Sequence, residues 1–538
     1  MKRTRPEPAW LDHAVFYEVY PQSFYDANGD GIGDLRGIIE KLDYIASLGC
    51  NAIWLNPCFE SPFGDAGYDV SDFYKVAPRY GTNEDLYELF RLAHEKGMRV
   101  VLDLVAGHTS VEHPWFKASA EERPNQYSNW YIWTSSVWEW APYPLQQING
   151  YSTRDGNYVT NFFHFQPALN YGFAHPDPDK PWQLPVDHPD VQAVHAELRA
   201  IMQFWLDHGA DGFRVDMASS LIRNDDSKEA IVAFWQEIRG WFDQTFPEAV
   251  LIAEWSMPEI AIRAGFHIDF MIHFGTPAYT ELFRSETTND MRAQVERSGH
   301  SYFHAEGRGD IRRFLEPFLQ HYEATKEIGY ISIPTGNHDI SRLRAGRTDE
   351  ELKVIYAFLL TLPGIPFIYQ GDEIGQYNVD GLPSKEGGYV RTGARTPMQW
   401  DDSANAGFST APAEWLYLPV DPNPARPTIS GQEGGPESLL HTVRRLARLR
   451  SEHPALQGAG DFEPVLTEAG GYPFVYRRSR DGKSVLVALN PAGRAVEAAV
   501  DNANPGRLLA GAGARVEERA GVVTLVMDAV SFAVWEEA

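Results

Sequence analysis

The stretch DGFRVDMASS, residues 211–220, sets an arginine and an aspartate inside a run that otherwise reads as a buried strand. Side chains alternate along a strand, so Arg214 and Asp216 share one face while Phe213 and Val215 share the other. Burying a guanidinium with a carboxylate costs several kcal/mol unless they pair well, and even a good pair often does no more than break even. A charged pair at the end of such a strand therefore needs a use, and the neighbouring strands show what surrounds it.

Upstream, AVFYEVYP (14–21), NAIWLNP (51–57) and MRVVLDLV (98–105) read as strands. Downstream, AVLIAEW (249–255), IDFMIHF (268–274), GYISIPTGNHD (329–339) and GIPFIYQGDE (364–373) read the same way. Helical patterns lie between them. Residues 34–48 set Leu35, Ile38, Ile39, Leu42, Ile45 and Leu48 on one face behind Asp34 as N-cap, and further helices are predicted over 84–96, 191–208, 229–241 and 437–451. Eight strands alternating with helices predict an α/β fold, the (β/α)8 TIM barrel. Residues 109–186, rich in Trp, Tyr, Pro and Asn, interrupt that rhythm and are too long for a structureless loop. They read as a subdomain inserted after strand 3. Beyond residue 452 the runs PFVYRRS, SVLVALN, VVTLVMD and SFAVWEE predict a C-terminal all-β sandwich domain. The division is barrel over 1–108 and 187–452, inserted subdomain over 109–186, and β domain over 453–538.

The 538 residues are 43% hydrophobic and 22% charged, as in an ordinary globular protein. The 15 Trp suit both core packing and stacking on flat apolar faces such as sugar rings. A net charge of −27 argues against nucleic acid and anionic membrane surfaces as partners. Cys50 and Cys58 cannot form a disulfide framework, no apolar run has the length of a membrane span, and no signal-peptide pattern opens the chain, so a cytoplasmic location is expected.

Barrel enzymes build their sites at the C-terminal strand ends. Strand 3 ends on Asp103 and His108, strand 4 on Arg214 and Asp216, strand 5 on Glu254, and strand 7 on Asn337, His338 and Asp339. Carboxyls in such a cluster suit glycosidic cleavage, where one acts as nucleophile, one as acid/base and a third holds sugar hydroxyls. A metal site is the competing use for this set. A separate loop, DANGDGIGD (26–34), offers oxygens at alternate positions from Asp26, Asn28, Asp30, the Ile32 carbonyl and Asp34. That spacing predicts one structural Ca2+ or Mg2+ as the only cofactor; Gly37 stands where an EF-hand has its bidentate Glu. The competing reading is a polar turn that caps the helix at Asp34.

In order and spacing, DLVAGH (103–108), GFRVDMASS (212–220), LIAEW (251–255) and GNHD (336–339) resemble the four signature regions of glycoside hydrolase family thirteen, the α-amylase family. FQPALN (165–170) is similar to that family's additional region. YPQSFYDANGDGIGDLRGI (20–38), GYDVSDF (67–73), HTSVEHPWF (108–116) and ARTPMQWDDSANAGF (394–408) resemble its α-glucosidase and oligo-1,6-glucosidase branch. The resemblance implies Asp216 as nucleophile, Glu254 as general acid/base and Asp339 as a holder of sugar hydroxyls. It implies that Arg214 keeps Asp216 ionised, that His108 and His338 donate to the sugar, and that Tyr68 stacks on its ring. It also implies that Asp69 pairs with Arg391, or with Arg395, to bind the terminal glucose and close the pocket, and that the metal loop is occupied.

Gly107 stands where the family usually has an Asn that helps bind calcium in amylases, so that site is not expected here. Met217 matches neither the Val associated with α-1,6 preference nor the Ala or Thr of α-1,4 enzymes, and Ser219-Ser220 replaces the Lys-His pair of many amylases. The implied activity is retaining cleavage of α-glucosidic bonds in short oligosaccharides. Its alternatives are a trehalose synthase-like or isomaltulose synthase-like transglycosylase, an endo-acting α-amylase, and a non-catalytic binding protein.

Overall fold

The structure, a computed structural model, describes residues 4–272, 279, 282–283, 301–344, 346–386, 391–519 and 522–537. The far end of the expected sixth strand, 273–274, and residues 388–390 before Arg391 lie outside them. The β-branched and aromatic runs form the strands β1 (Phe16–Val19), β2 (Ala52–Leu55), β3 (Arg99–Leu104), β4 (Gly212–Val215), β5 (Val250–Ala253), β6 (Ile268–Phe270), β7 (Tyr330–Ser332) and β8 (Phe367–Tyr369). All pair in parallel, in the order β7-β6-β5-β4-β3-β2-β1-β8. The seam between β7 and β8 is joined by backbone bonds from Ile365 N to Ile331 O (3.1 Å) and from Thr335 N to Phe367 O (3.0 Å), which brings the barrel round on itself.

Alternation along each strand sorts the side chains into two cores. Phe16, Trp54, Val101, Ile252, Phe270 and Phe367 fill the barrel, with the Phe16 and Phe367 rings stacked 4.3 Å apart. Tyr17, Ile53, Val100, Phe213 and Leu251 point outward into the helix layer. Glu18 and Arg214 stand in the inward phase, and the register sets Glu18 beside Trp54 and Asp103 beside Arg214. An apolar plug thus carries a layer of polar groups on its upper side.

The helix expected over 34–48 starts as predicted, with the Asp34 carboxylate accepting the Gly37 N–H at 2.7 Å. It breaks at Lys41 into Leu35–Glu40 and Leu42–Ser47. The Lys41 ammonium lies 3.9 Å from the Tyr25 ring centroid and 4.5 Å from that of Trp400, a cation–π contact made at the break. Inside 109–186 a short hairpin pairs Gln146–Ile148 with Tyr158–Thr160.

The C-terminal domain is antiparallel: β9 (Asp461–Leu466), β10 (Phe474–Arg480), β11 (Lys483–Asn490), β12 (Val496–Val500), β13 (Pro505–Arg519) and β14 (Val522–Glu537). The last two expected strands are one, β14, with Val530 at φ +46° between its halves. Its first half pairs with β12 and its second with β11, while β13 follows both, so the two layers are hydrogen-bonded into one folded sheet. Among the described residues no helix is long and apolar enough to cross a membrane, and Cys50 and Cys58 are buried and unpaired.

Gly364 marks the tightest point of the β7–β8 seam. Its φ is +92°, and a Cβ there would stand 1.9 Å from Ile331 O. Gly364→Ala is therefore expected to destabilise the protein by at least about 2 kcal/mol, read as a drop in Tm, through backbone strain and overpacking together. An unchanged Tm would contradict the closed seam.

Candidate active site

Arg214 organises the mouth of the barrel. Its side chain is 2% exposed. Nη1 donates to Asp103 Oδ1 (2.8 Å) and Asp216 Oδ1 (3.2 Å), and Nη2 pairs with Glu254 Oε2 (2.7 Å). Asp103 also accepts Trp54 Nε1–H (3.1 Å) and the Tyr68 hydroxyl (2.9 Å) on Oδ2. Glu254 Oε2 additionally accepts the Met217 N–H at 3.0 Å. Met217 sits at φ +44°, a sparsely populated conformation for a non-glycine residue, which brings that amide round to the carboxylate. The guanidinium fills the place that a metal ion would take among these carboxylates, and among the described residues no three His, Cys, Asp or Glu side chains converge as a metal site.

Burial pushes Asp216 well above the usual carboxylate range and the Glu254 carboxylate adds to it, while Arg214 pulls the other way. The sequence reading had Arg214 holding Asp216 ionised. The Arg214 guanidinium acts in that sense, but it is shared among Asp103, Asp216 and Glu254, and burial outweighs it at Asp216.

The second arm starts at Asp339. Arg391 Nη1 and Arg395 Nη2 donate to its Oδ1 at 2.6 and 2.7 Å. Burial would raise this carboxyl, but Arg391, His338 and Arg395 in turn hold it well below the usual range. His338 is stacked between Tyr68 and Tyr20, at centroid distances of 5.3 and 5.9 Å, and its Nε2 lies 2.8 Å from the Tyr68 hydroxyl. The two arms thus meet through Tyr68.

Three residue assignments change. Asp69 pairs with neither Arg391 nor Arg395: its carboxylate accepts the Ser61 hydroxyl (2.9 Å) and the N–H groups of Gly64 (2.9 Å) and Asp65 (3.0 Å). That turn, with Phe63 and Ala66 both at positive φ, projects Asp65, which pairs with Arg391 Nη2 and accepts Gln166 Nε2–H at 2.8 Å. Arg395 pairs instead with Glu386 and Asp339, and its Nε donates to His338 O at 2.7 Å.

His108 has no free ring nitrogen in this arrangement. Nε2 donates to Tyr68 O (2.9 Å) and Nδ1 accepts Asn161 Nδ2–H (3.0 Å). Burial pushes it down to about 4, so it is a neutral brace at neutral pH. Asn161 Oδ1 accepts Arg223 Nη2–H at 2.8 Å, and a Cβ on Gly107 would stand 2.7 Å from Asn161 Nδ2. The Asn161 amide, held from its other side by Arg223, therefore occupies the space beside Gly107.

Asp65, Glu386, Glu18, Asn161 and Arg223 had not been singled out in the sequence. Asp65 alone carried a signal, as a second carboxylate four residues before Asp69 in the same glycine-flanked turn.

In the loop 26–34, Asp26 accepts the N–H groups of Gly29 (2.7 Å) and Gly31 (2.8 Å) and the Ser409 hydroxyl (2.6 Å). Asp34 accepts those of Ala27 and Asn28 as well as Gly37. The side-chain oxygens of Asn28 and Asp30 accept the N–H groups of Asp30 and Ile32.

A family model described as the α-amylase catalytic domain matches residues 18–459. Trehalose synthase/amylase TreS of Mycobacterium tuberculosis is 32% identical over 534 residues, covering 90% of this chain and 82% of that protein. The oligo-1,6-glucosidase of Parageobacillus thermoglucosidasius is 30% identical over 530 residues, covering 90% of each. Among solved structures, trehalulose synthase MutB from Pseudomonas mesoacidophila MX-45 superposes with a TM-score of 0.79 at 27% identity, covering 99% of this chain and all of that one. A MutB variant in complex with the substrate sucrose gives 0.80 at the same identity and coverage.

The Arg391 pairings give a stability prediction. Arg391→Ala leaves Asp65 and part of Asp339 as buried charges without their cation, which is expected to cost about 3–5 kcal/mol at pH 7 by denaturant unfolding. Asp339 is depressed in the folded protein, so its contribution exists above its unfolded pKa and is lost as pH falls through the lower folded value. The variant's Asp339 protonates at higher pH than that of the wild type, so the gap should narrow as pH falls below about 4. A gap that is small at pH 7, or that widens in acid, would contradict the pairing.

Proposed function

The chain belongs to the α-amylase catalytic-domain family and is a glycoside hydrolase or transglycosylase, and from that premise we propose that it acts as a retaining α-glucosidase on short α-glucoside oligosaccharides. The observation that carries this reading is the Asp216–Glu254 pair bridged by one guanidinium. Two carboxyls bridged by the two ends of one guanidinium suit the roughly 5–5.5 Å separation of retaining pairs better than the roughly 6.5–9.5 Å of inverting ones.

In the first step Glu254 gives its proton to the glycosidic oxygen as that bond breaks, and Asp216 bonds to the anomeric carbon to form a covalent glucosyl ester. In the second, Glu254 takes a proton from the acceptor hydroxyl, whose oxygen displaces Asp216. The Arg214 and Met217 donors on Glu254 Oε2 leave Oε1 as the oxygen that carries the transferred proton. Asp339, kept ionised by its arginines, holds hydroxyls of the sugar being transferred. Arg391 and Asp65 stand beside Asp339 as the wall of a pocket that accepts a non-reducing end.

A second reading is favoured by the relatives. TreS is named as both a trehalose synthase and an amylase, and MutB among the structures as a trehalulose synthase. Transfer needs no change in the first step; a sugar hydroxyl takes the place of water in the second. Proton NMR of the earliest product from maltose, isomaltose, sucrose or trehalose is expected to show the α-anomer, and Asp216→Asn should lose activity by about 10⁴-fold or more with the fold intact. A β-anomer would overturn the pair's roles. A new disaccharide in place of free glucose would select transfer, and mixed long fragments from insoluble starch would select an endo-acting enzyme.

We further propose that one Ca2+ or Mg2+ is held by Asp26, Asn28, Asp30, the Ile32 carbonyl and Asp34. The support is their alternate spacing and the single turn bond accepted by each of Asp26 Oδ1, Asn28 Oδ1, Asp30 Oδ1 and Asp34 Oδ1, which leaves each a second lone pair. As placed here the three carboxylates do not converge, so the ion would draw them together. The ion would be structural, fastening the first strand-to-helix loop. Metal analysis after dialysis should give one ion per chain, and chelator should lower the Tm; no metal and no shift would leave the polar turn as the whole explanation.

A further inference from the structure

Glu18 lies on β1 in the inward phase, is 0% exposed, and touches His338 on the floor of the site. Its role follows from counting protons along one hydrogen-bonded chain. Asp103 is surrounded by donors: Arg214 Nη1 on Oδ1, and Trp54 Nε1 and the Tyr68 hydroxyl on Oδ2. Burial raises Asp103 and the Arg214 cation works against it; with a guanidinium nitrogen 2.8 Å from Oδ1 and two donors on Oδ2, it is the acceptor of all three bonds. Tyr68 therefore spends its single hydrogen on Asp103.

The next link is the 2.8 Å contact between the Tyr68 oxygen and His338 Nε2. With its hydrogen spent, Tyr68 can only accept here, so Nε2 must carry the proton. The same nitrogen lies 3.5 Å from the acceptor Asp339 Oδ2, which agrees. Burial, reinforced by the cations Arg395, Arg214 and Arg391 against the pull of Asp339, keeps the imidazole neutral. A neutral ring protonated on Nε2 has a bare lone pair on Nδ1. That lone pair faces Asn56 Nδ2 at 3.2 Å and Glu18 Oε1 at 2.8 Å. A carboxylate oxygen 2.8 Å from a bare lone pair would be repelled; a carboxylic acid donates to it.

We propose that Glu18 is a neutral carboxylic acid whose Oε1–H donates to His338 Nδ1 and fixes that imidazole as the Nε2–H tautomer. Glu18 is then a positioning residue. Only the Nε2–H tautomer has a donor to offer on the side of Tyr68 and Asp339, where the sugar hydroxyls belong in the functional reading above, on which the activity arm of the test rests. Ionised groups and cations stand all around it: Asp103 and Arg214 across the barrel, Asp339 beyond His338, and Arg395 beside Tyr20. The other Glu18 oxygen, Oε2, is buried with no hydrogen-bond partner, which a full negative charge would not tolerate at low cost and a neutral acid does. Burial raises the Glu18 carboxyl well above the usual range, in the same direction.

The test is infrared difference spectroscopy of the full chain near neutral pH, wild type against Glu18→Gln. The expected result is a carboxylic-acid C=O band in the wild type that is missing from Glu18→Gln. A spectrum in which no such band is lost would mean that Glu18 is ionised and would overturn the proposal. Glutamine keeps a donor at the same place, so kcat/KM for an α-glucoside should stay within about threefold of wild type. Glu18→Met removes the donor at similar volume and should lose about tenfold or more. Equal losses in both variants would show that the charge, not the donor, is needed.

If Glu18→Gln fails to fold, Glu18→Met takes its place in the difference spectrum, with ¹³C-glutamate labelling of both proteins. An isotope-shifted acid band lost from Glu18→Met near neutral pH supports the proposal, and a band that stays in the variant, or is missing from the wild type, overturns it. Lack of turnover by the wild type on every α-glucoside would defeat the functional reading and leave the infrared result standing.

Discussion

The buried guanidinium of Arg214 is the constraint from which the site follows. It is a permanent cation over the apolar plug of a barrel, and it contacts three carboxylates at 2.7–3.2 Å. One positive charge cannot compensate three negative ones in a medium that penalises each of them. Burial and the neighbouring Glu254 carboxylate therefore raise Asp216 against the pull of Arg214. Asp339 shows the opposite balance: two arginines share its carboxylate, and it stays ionised.

The polar layer depends on strand register more than on local sequence. Glu18 sits beside Trp54 and Asp103 beside Arg214 because adjacent strands are staggered as they are, and Tyr68 and His338 then join the groups into one connected set. The arginines Arg391 and Arg395 arrive from the loop after β8, closing the set opposite Arg214. A ring of this kind tolerates few substitutions singly, since each partner removed leaves a buried donor or charge behind it.

Much of this was legible in the sequence. Asp103, Arg214, Asp216, Glu254 and Asp339 announced themselves as ionisable residues ending apolar strands, a pattern that packing alone would not keep. What was not legible lay where period and register stop helping. Asp65 and Asp69 share one short turn, and only the turn's backbone decides which carboxylate faces Arg391. Glu18 had the right phase for the interior, but one glutamate in an eight-residue apolar run gives no hint of a histidine partner 320 positions away. In the C-terminal domain β13 runs through PGRLLAGAGARVEER, poor in β-branched residues, and is a strand because β14 offers it a continuous edge. The break at Lys41 went unseen because a hydrophobic face continues across it.

The central claim is that Asp216 becomes covalently bonded to glucose and that Glu254 and Asp339 do not. Its most direct test is mass spectrometry of proteolytic fragments after incubation with a mechanism-based fluorosugar whose second step is slow. The account predicts a glycosyl mass increment on a fragment containing Asp216, located on that residue by fragmentation. A label on Glu254 or Asp339, or steady turnover of the reagent with no labelled enzyme at any time, would contradict it.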